Sequence, residues 1–335
     1  MKALYISKGG GCYNETSMKP FSARHKRRNR RGALFLLCSV FLTACSGEAA
    51  AMTEPAEKTA VPAEARSRFE PDPFEDSVYD EAASSGTENI HLDLSHTEEG
   101  YIAVSVVEDA RIKLMVIKDD QTYTYNVDND GTPAFFPLQS GDGTYLFRVM
   151  KNIVDSKYAE LYREEAQVKL IDEFQPFIRP SDYVSYTEKS ECVQKAKEMA
   201  DAAKDESDFI ASVYTFICDT VKYDDEKAEN IQSGYMPVPD ETMETGMGIC
   251  FDYASLAASM MRSQGIPTKV IFGYVSPNDI YHAWNMFYTE KTGWVTVELK
   301  ADGKTWTRLD LTFSANGANN RFIGNGDNYA DVYEY

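Results

Sequence analysis

The stretch Gly248-Ile249-Cys250-Phe251-Asp252-Tyr253-Ala254 places a cysteine where a loop turns into a helix. Apolar residues then recur at three- and four-residue spacing, at Ala254, Ala257, Met260 and Met261. This spacing predicts a helix over 250–264 with one buried face. Gly265 and Pro267 are typical stop signals after it. Cys250 therefore falls in the first turn, where the helix dipole and the unpaired amides favour an anion and hence the reactive thiolate.

A histidine and an aspartate follow the cysteine in the order that nucleophilic catalysis uses. His282 lies in an alternating segment, 281–288, which predicts a strand, and it is the only histidine after His96. Asp310 ends a second alternating segment. Thiol, imidazole and carboxylate together can form a nucleophile, shuttle a proton and orient the ring. Glu298 and Asp302 are alternatives to Asp310, although Asp302 beside Gly303 is typical of a tight turn.

Several blocks in this order resemble the transglutaminase-like superfamily, in its bacterial, protease-like branch. The resemblance covers residues 181–335, and its one departure is Leu311, where the family usually has proline. The matching blocks are Lys222-Tyr223-Asp224, Ser233-Gly234-Tyr235, Gly248-Ile249-Cys250, Asp252-Tyr253-Ala254, Gly265-Ile266-Pro267, Tyr281-His282-Ala283-Trp284-Asn285 and Leu309-Asp310-Leu311-Thr312. The resemblance implies a papain/transglutaminase-like catalytic domain in which a helix bearing Cys250 packs on an antiparallel sheet. It also favours Asp310 as the third member of a Cys250–His282–Asp310 triad.

These roles predict a thioester mechanism on an amide or peptide bond. The Cys250 thiolate attacks the carbonyl, and His282 protonates the leaving amine and then activates water or a second amine. The backbone N–H of Cys250 is a natural oxyanion donor because it lies at a helix start. Tyr223 and Tyr235 are candidates for a second donor.

Three functions are compatible with this pattern. The first is a cysteine peptidase or amidase that acts on peptide or isopeptide bonds, such as those of cell-wall peptides or extracellular proteins. The second is a transglutaminase, which passes the same thioester to an amine. The third is a non-catalytic domain that binds peptides or cell wall. The presence of all three triad residues, Cys250, His282 and Asp310, favours the enzymes.

The N-terminal residues predict an exported, lipid-anchored protein. A basic cluster, 24–31, precedes an apolar run of about ten residues, which is too short to span a bilayer and is typical of a signal peptide. The run ends in Leu42-Thr43-Ala44-Cys45, which resembles the bacterial lipobox and implies a lipid on Cys45. Residues 1–44 are thus predicted as leader, with translation beginning at Met1 or Met18.

Charge and composition limit the classes of partner that the protein is expected to bind. The chain has a net charge of −19, and residues 1–44 carry 9 Lys/Arg and 1 Asp/Glu. The rest therefore holds 25 basic and 52 acidic residues, a net charge of −27. Such a surface repels nucleic acid and anionic lipids, so we expect membrane association through Cys45 alone. No metal or cofactor motif is present in the sequence, and we predict neither.

The remaining chain divides into three predicted parts. Residues 45–88 are acidic and lack apolar periodicity, which predicts a disordered linker. Residues 89–175 contain seven short β-rich runs separated by turn signals, which predicts an immunoglobulin-like β-sandwich. Residues 176–335 are expected to form the catalytic domain, with helices near 188–204 and 206–221 and an acidic loop over 224–247 before the helix that begins at Cys250. The predicted fold class is α+β.

Overall fold

Two antiparallel four-stranded sheets form the N-terminal part of the molecule. The structure, a computed structural model, describes residues 69–232, 234–275, 280–290, 293–295, 297–299, 306–308 and 329–335. The first strands are β1 (Ser85–Thr87), β2 (Ile90–Asp93), β3 (Tyr101–Val106), β4 (Ile112–Lys118), β5 (Gln121–Val127), β6 (Ala134–Pro137), β7 (Gly143–Val154) and β8 (Lys157–Val168). One sheet has the order β1-β2-β3-β6 and the other the order β5-β4-β7-β8.

Alternation of apolar and polar residues builds these sheets. In β5, Tyr123, Tyr125 and Val127 are buried while the residues between them are exposed. Buried residues of both sheets belong to one hydrophobic core, which is consistent with the predicted sandwich. The sequence predicted shorter strands in the last third of this region, whereas β7 and β8 form one hairpin with twelve residues in each strand. An immunoglobulin-like topology stays a prediction.

Residues 69–88 pack against the rest of the chain, although their composition predicted a flexible linker. Phe69 stacks on Phe209 with 5.1 Å between ring centroids, and Phe74 meets Tyr186 edge-on at 5.8 Å. The Ser77 hydroxyl donates to the carbonyl of Pro180 at 2.7 Å. Two aromatic anchors and a hydrogen bond thus hold this acidic segment against the rest of the chain.

Five α-helices are described in the second part of the chain. They are α1 (Glu191–Ala202), α2 (Glu206–Thr220), α3 (Asp225–Asn230), α4 (Pro239–Thr245) and α5 (Cys250–Arg262). The predicted helices over 188–204, 206–221 and 250–264 correspond to α1, α2 and α5. Helices α3 and α4 lie in the acidic stretch 224–247, which was expected to be a loop. Local caps explain both: the Asp224 carboxylate accepts the Lys227 amide, and α4 begins with Pro239 and ends at Gly246 with φ 62°.

A second set of strands supports α5. It comprises the short parallel pair β9 (Lys222–Tyr223) and β10 (Met247–Gly248), and also β11 (Thr268–Val275), β12 (Ile280–Thr289), β13 (Gly293–Val295), β14 (Val297–Leu299), β15 (Trp306–Arg308) and β16 (Tyr329–Glu334). The main sheet is antiparallel with the order β13-β12-β11-β16, and β14 pairs with β15. Helix α5 packs on β11 and β12. The predicted α+β class, with a helix on an antiparallel sheet, is confirmed.

Candidate active site

Helix α5 begins at Cys250, as the sequence predicted. The parallel pair β9–β10 leads directly into it, with Gly248 opposite Tyr223. The Asp252 carboxylate reaches back to accept the Ile249 amide at 2.7 Å, which closes the first turn. A side chain at position 248 would place its Cβ 2.7 Å from the Cβ of Asp252, so this approach requires glycine. The loop, the strand pair and the cap together fix the position of the thiol.

Cys250 is a half-buried thiol without a disulfide. Its helix is closely packed behind it, because all twelve remaining residues of α5 are buried. The Tyr253 hydroxyl donates to the carbonyl of Val221 at 2.7 Å and holds the first turn to the segment that enters β9. The thiol therefore lies at a rigid helix start and keeps contact with solvent, as a nucleophile must.

Tyr223 lies close to the thiol, opposite Gly248 at the end of β9. Burial raises the pKa of Tyr223 above its ordinary value, and Cys250 acts in the same direction. The phenol therefore keeps its proton at neutral pH and can donate a hydrogen bond. Of the two candidate oxyanion donors, Tyr223 is the one whose electrostatic surroundings include Cys250.

Tyr235, the other candidate donor, is committed elsewhere. Its hydroxyl donates to Oδ1 of Asp252, and the Lys227 ammonium lies 2.9 Å from Oδ2 of the same carboxylate. Burial, followed by the bond to Asp252, raises the pKa of Tyr235. Sequence reasoning missed this cluster. A first-turn acid such as Asp252 could have predicted a cap, but nothing local predicted its partners.

His282 is buried on β12, opposite Gly273 of β11. A Cβ at Gly273 would lie 2.1 Å from the carbonyl oxygen of Ala330 and 2.7 Å from Cη2 of Trp284. Glycine at this position therefore lets β16 and Trp284 approach the strand pair next to the histidine. This close packing holds the segment that carries His282.

Two sets of contacts place Cys250 and His282 at the same end of the α5–β12 layer. Asn285 Nδ2 donates to the carbonyl of Ala254 at 2.9 Å. From Ala254 back to Cys250 the helix covers about 6 Å, and about two residues of strand cover the same length. Taken toward the start of β12, the direction given by the aromatic contacts of Phe251, this step from Asn285 reaches Ala283, the neighbour of His282.

Aromatic contacts also link the same two positions. Phe251, next to Cys250, meets Phe272 edge-on with 4.9 Å between ring centroids. Phe272 in turn stacks near Tyr281, the neighbour of His282, at 6.0 Å. The chain segments that carry the thiol and the imidazole are thus joined through one aromatic residue of β11.

The third member of the predicted triad, Asp310, lies outside the described residues, as do Asp302 and Cys45. Glu298 lies on β14 with Thr307 opposite it on β15. Among the described residues, no group of three or more His, Cys, Asp or Glu side chains could hold a metal ion. Within the same residues, no helix has the length and apolar character needed to cross a membrane.

Comparison with known proteins shows a similarity to one superfamily over part of the chain. Residues 193–299 match the model of the transglutaminase-like superfamily. The matched region includes Cys250 and His282, and domains of that superfamily are generally catalytic, as cysteine proteases or transglutaminases.

Individual proteins match this chain only at low identity or over a short stretch. The UPF0252 protein MJ1282 of Methanocaldococcus jannaschii is 31% identical over 68 residues, 19% of each protein. A solved candidate cysteine protease from Cytophaga hutchinsonii aligns over 75% of this chain and 73% of its own, with 16% identity and a TM-score of 0.36. Red sea bream transglutaminase aligns over 62% of this chain and 49% of its own, with 12% identity and a TM-score of 0.25.

Proposed function

We propose that this chain is a cysteine peptidase or amidase that cleaves peptide or isopeptide bonds through a thioester on Cys250. The observation that carries the proposal is the thiol at the start of α5 with His282 at the same end of the supporting sheet. The match to the transglutaminase-like superfamily supports it, because the matched residues include both Cys250 and His282.

The first half-reaction acylates the enzyme. The Cys250 thiolate attacks the amide carbonyl, and a C–S bond forms as the carbonyl oxygen takes the electron pair. His282, as imidazolium, gives its proton to the leaving nitrogen, the C–N bond breaks, and the amine departs. The Cys250 backbone N–H and the Tyr223 hydroxyl are the proposed donors to the oxyanion.

The second half-reaction releases the acyl group. His282, now neutral, takes a proton from water, the hydroxide adds to the thioester, and the C–S bond breaks to return the thiolate. Asp310 is proposed to hold the imidazole ring in the useful tautomer. A second candidate function, transfer of the acyl group to an amine, uses the same steps with a lysine amine in place of water.

The proposed location is outside the cell. The apolar run that ends at Cys45 supports lipid anchoring to the membrane, with cell-wall peptides or extracellular proteins as substrates. The acidic mature chain supports a solvated protein and makes nucleic acid an improbable partner on electrostatic grounds.

A product assay tests the reaction. The full chain is incubated with a peptide library and a dansylated amine, and the products are identified by mass spectrometry. We expect cleaved peptides from the wild type and at least a thousandfold loss in Cys250→Ala, because the nucleophile is gone. Cys218→Ala, which removes a half-buried thiol from the interior of α2, is the matched control and should retain activity.

The products separate the functions. Amine-tagged glutamines without cleavage would identify a transglutaminase. Full activity in Cys250→Ala would refute the thioester mechanism. The absence of any product, together with a Cys250 that does not react with iodoacetamide, would favour a binding protein.

A further inference from the structure

A fully buried carboxylate lies in the same helical turn as Cys250. Asp252 has no exposed surface, and both of its oxygens accept hydrogen bonds. Oδ2 accepts the Ile249 amide at 2.7 Å, and Oδ1 accepts the Tyr235 hydroxyl. A negative charge at this place opposes a thiolate two residues away, since like charges in a poorly solvated site repel strongly.

Lys227 supplies the compensating charge. Its ammonium lies 2.9 Å from Oδ2 of Asp252, 2.6 Å from the Tyr235 oxygen and 4.5 Å from the centre of that ring. The side chain is 27% exposed and lines an open groove of about 430 Å³ together with Tyr235. The amide and the phenol cap the carboxylate without neutralising it, whereas the ammonium cancels its charge.

We propose that Lys227 is a positioning residue that keeps Cys250 in its reactive form by neutralising Asp252. The inference rests on the proposed role of Cys250 as nucleophile. With the ion pair intact, the helix start presents the positive end of its dipole to the thiol. Without the ammonium, the buried carboxylate would offset that dipole. Lys227 therefore acts on the thiol through Asp252.

Other groups act around the thiol and stay unchanged in the test. They are Tyr223 on β9 beside the thiol, Asp225 on α3 and Tyr253 on α5, which act on Tyr223, and His282 on β12. Each contributes a constant background when only the ion pair is altered. One substitution removes the positive charge of the ion pair and another removes its negative charge. Comparison of the two separates the effect of the ion pair from this background.

Removal of the positive or the negative charge should shift the pH midpoint for alkylation of Cys250 in opposite directions. Lys227→Met leaves Asp252 unneutralised, so the midpoint of the pH–rate profile for alkylation of Cys250 should rise by about one pH unit. At pH values below the midpoint, alkylation should be about tenfold slower. Asp252→Asn leaves Lys227 unneutralised and should lower the midpoint by a similar amount. The double variant Lys227→Met/Asp252→Asn should restore it.

The measurement uses the full chain and iodoacetamide from pH 5 to pH 9. Modification of Cys250 is followed by mass spectrometry of its own peptide, because the chain has six cysteines. Lys227→Arg, which keeps the charge, should stay near the wild-type midpoint. Tyr235→Phe removes a hydrogen bond but no charge, so it should lower thermal stability with little change in the midpoint.

The outcomes are decisive in both directions. Opposite shifts in the two single variants, with recovery in the double variant, support the proposal; a purely structural role would weaken both variants without moving their midpoints apart. Unchanged midpoints, or shifts of the same sign, overturn it. If Cys250 fails to react in every variant and in the wild type, the proposed nucleophile is refuted as well, and the two failures are thus distinguishable.

Discussion

The two ends of α5 each bury a charged side chain, but they satisfy it in different ways. At the N-terminal end, Asp252 receives an ammonium, a phenol and an amide. At the C-terminal end, the Arg262 guanidinium is 1% exposed. It donates to three backbone carbonyls, those of Thr268 at 2.8 Å, Arg179 at 3.0 Å and Tyr335 at 2.9 Å. Both signs suit the helix dipole, with the acid at the start and the base at the end.

The difference separates a fixed end from an adjustable one. Arg262 joins β11, the residue that follows β16 and the segment before α1, and it is closed off from water. Burial lowers the pKa of Arg262 to about 10, so it still carries its charge at neutral pH. Lys227 instead stays partly exposed beside a groove. The C-terminal end thus anchors the helix, whereas the N-terminal end sets the electrostatic field at Cys250.

The largest effect is expected from breaking the anchored end. Arg262→Met leaves three buried carbonyls without their donor, which should cost about 4 kcal/mol in the free energy of unfolding. The loss should appear in urea unfolding as a lower midpoint. The rate of Cys250 alkylation per folded molecule should stay near wild type, because the helix start is untouched.

Arg262→Lys is the matched control for charge. A lysine ammonium reaches fewer of the three carbonyls than the planar guanidinium fork, so it should recover only part of the lost stability. A variant Arg262→Met as stable as wild type, or one that changes the pH profile of Cys250, would contradict the division between the two ends.

Substitution of one glycine at each end of α5 tests the same comparison. The expected effect on the free energy of unfolding is smaller. Gly248 precedes α5, and an alanine Cβ there would lie 2.7 Å from the Cβ of Asp252. Gly265 follows α5 with φ 78°, and its Cβ would lie 2.6 Å from the Cβ of Asp72. Each alanine variant should lose about 2 kcal/mol in the free energy of unfolding.

The two variants should differ in the reactivity of the thiol. Gly248→Ala pushes on the carboxylate that caps the first turn, so it should also slow Cys250 alkylation at pH 7. Gly265→Ala should leave the alkylation rate per folded molecule unchanged. Equal effects of the two variants on that rate would show that the ends are not separable.

Local signals made much of the helix and the sheet predictable. The apolar spacing after Cys250 and the stop at Gly265 defined α5, and alternation around His282 defined β12. The acidic stretch 224–247 lacks apolar periodicity, so α3 and α4 were missed even though Asp224, Pro239 and Gly246 are local signals of helix ends. Short helices held by caps leave little trace in hydrophobic patterning.

Contacts between residues that are distant in sequence could not be predicted from the sequence. Tyr235 was a candidate oxyanion donor from its motif, yet its hydroxyl is bound to a carboxylate seventeen residues away in sequence. The ion pair of Lys227 with Asp252 and the three carbonyls around Arg262 likewise depend on tertiary packing. A charged residue in a sequence reveals neither its burial nor its partner.

The smallest expected effect concerns a partly buried acid near the anchored end. Asp182 follows the segment whose Arg179 carbonyl receives Arg262, and it exchanges two hydrogen bonds with Phe135 of β6. Burial raises the pKa of Asp182 from 3.8 to about 6; the Phe135 amide opposes this shift, and Asp128 adds to it. The folded state therefore holds a proton that the unfolded chain gives up. The stability from this group is full below pH 4 and is lost as the pH rises through 6.

Asp182→Asn removes the titration while its amide oxygen can still accept the Phe135 N–H. The variant should match wild type near pH 4 and exceed it by about 1 kcal/mol in the free energy of unfolding at pH 7.5, a value reduced for the partial exposure of the carboxylate. Urea unfolding at several pH values measures the difference. Asp128→Asn removes the exposed neighbouring charge and should give a gain several times smaller. An equal gain from both variants would mean that net charge, rather than burial at the anchored end of the helix, produces the effect.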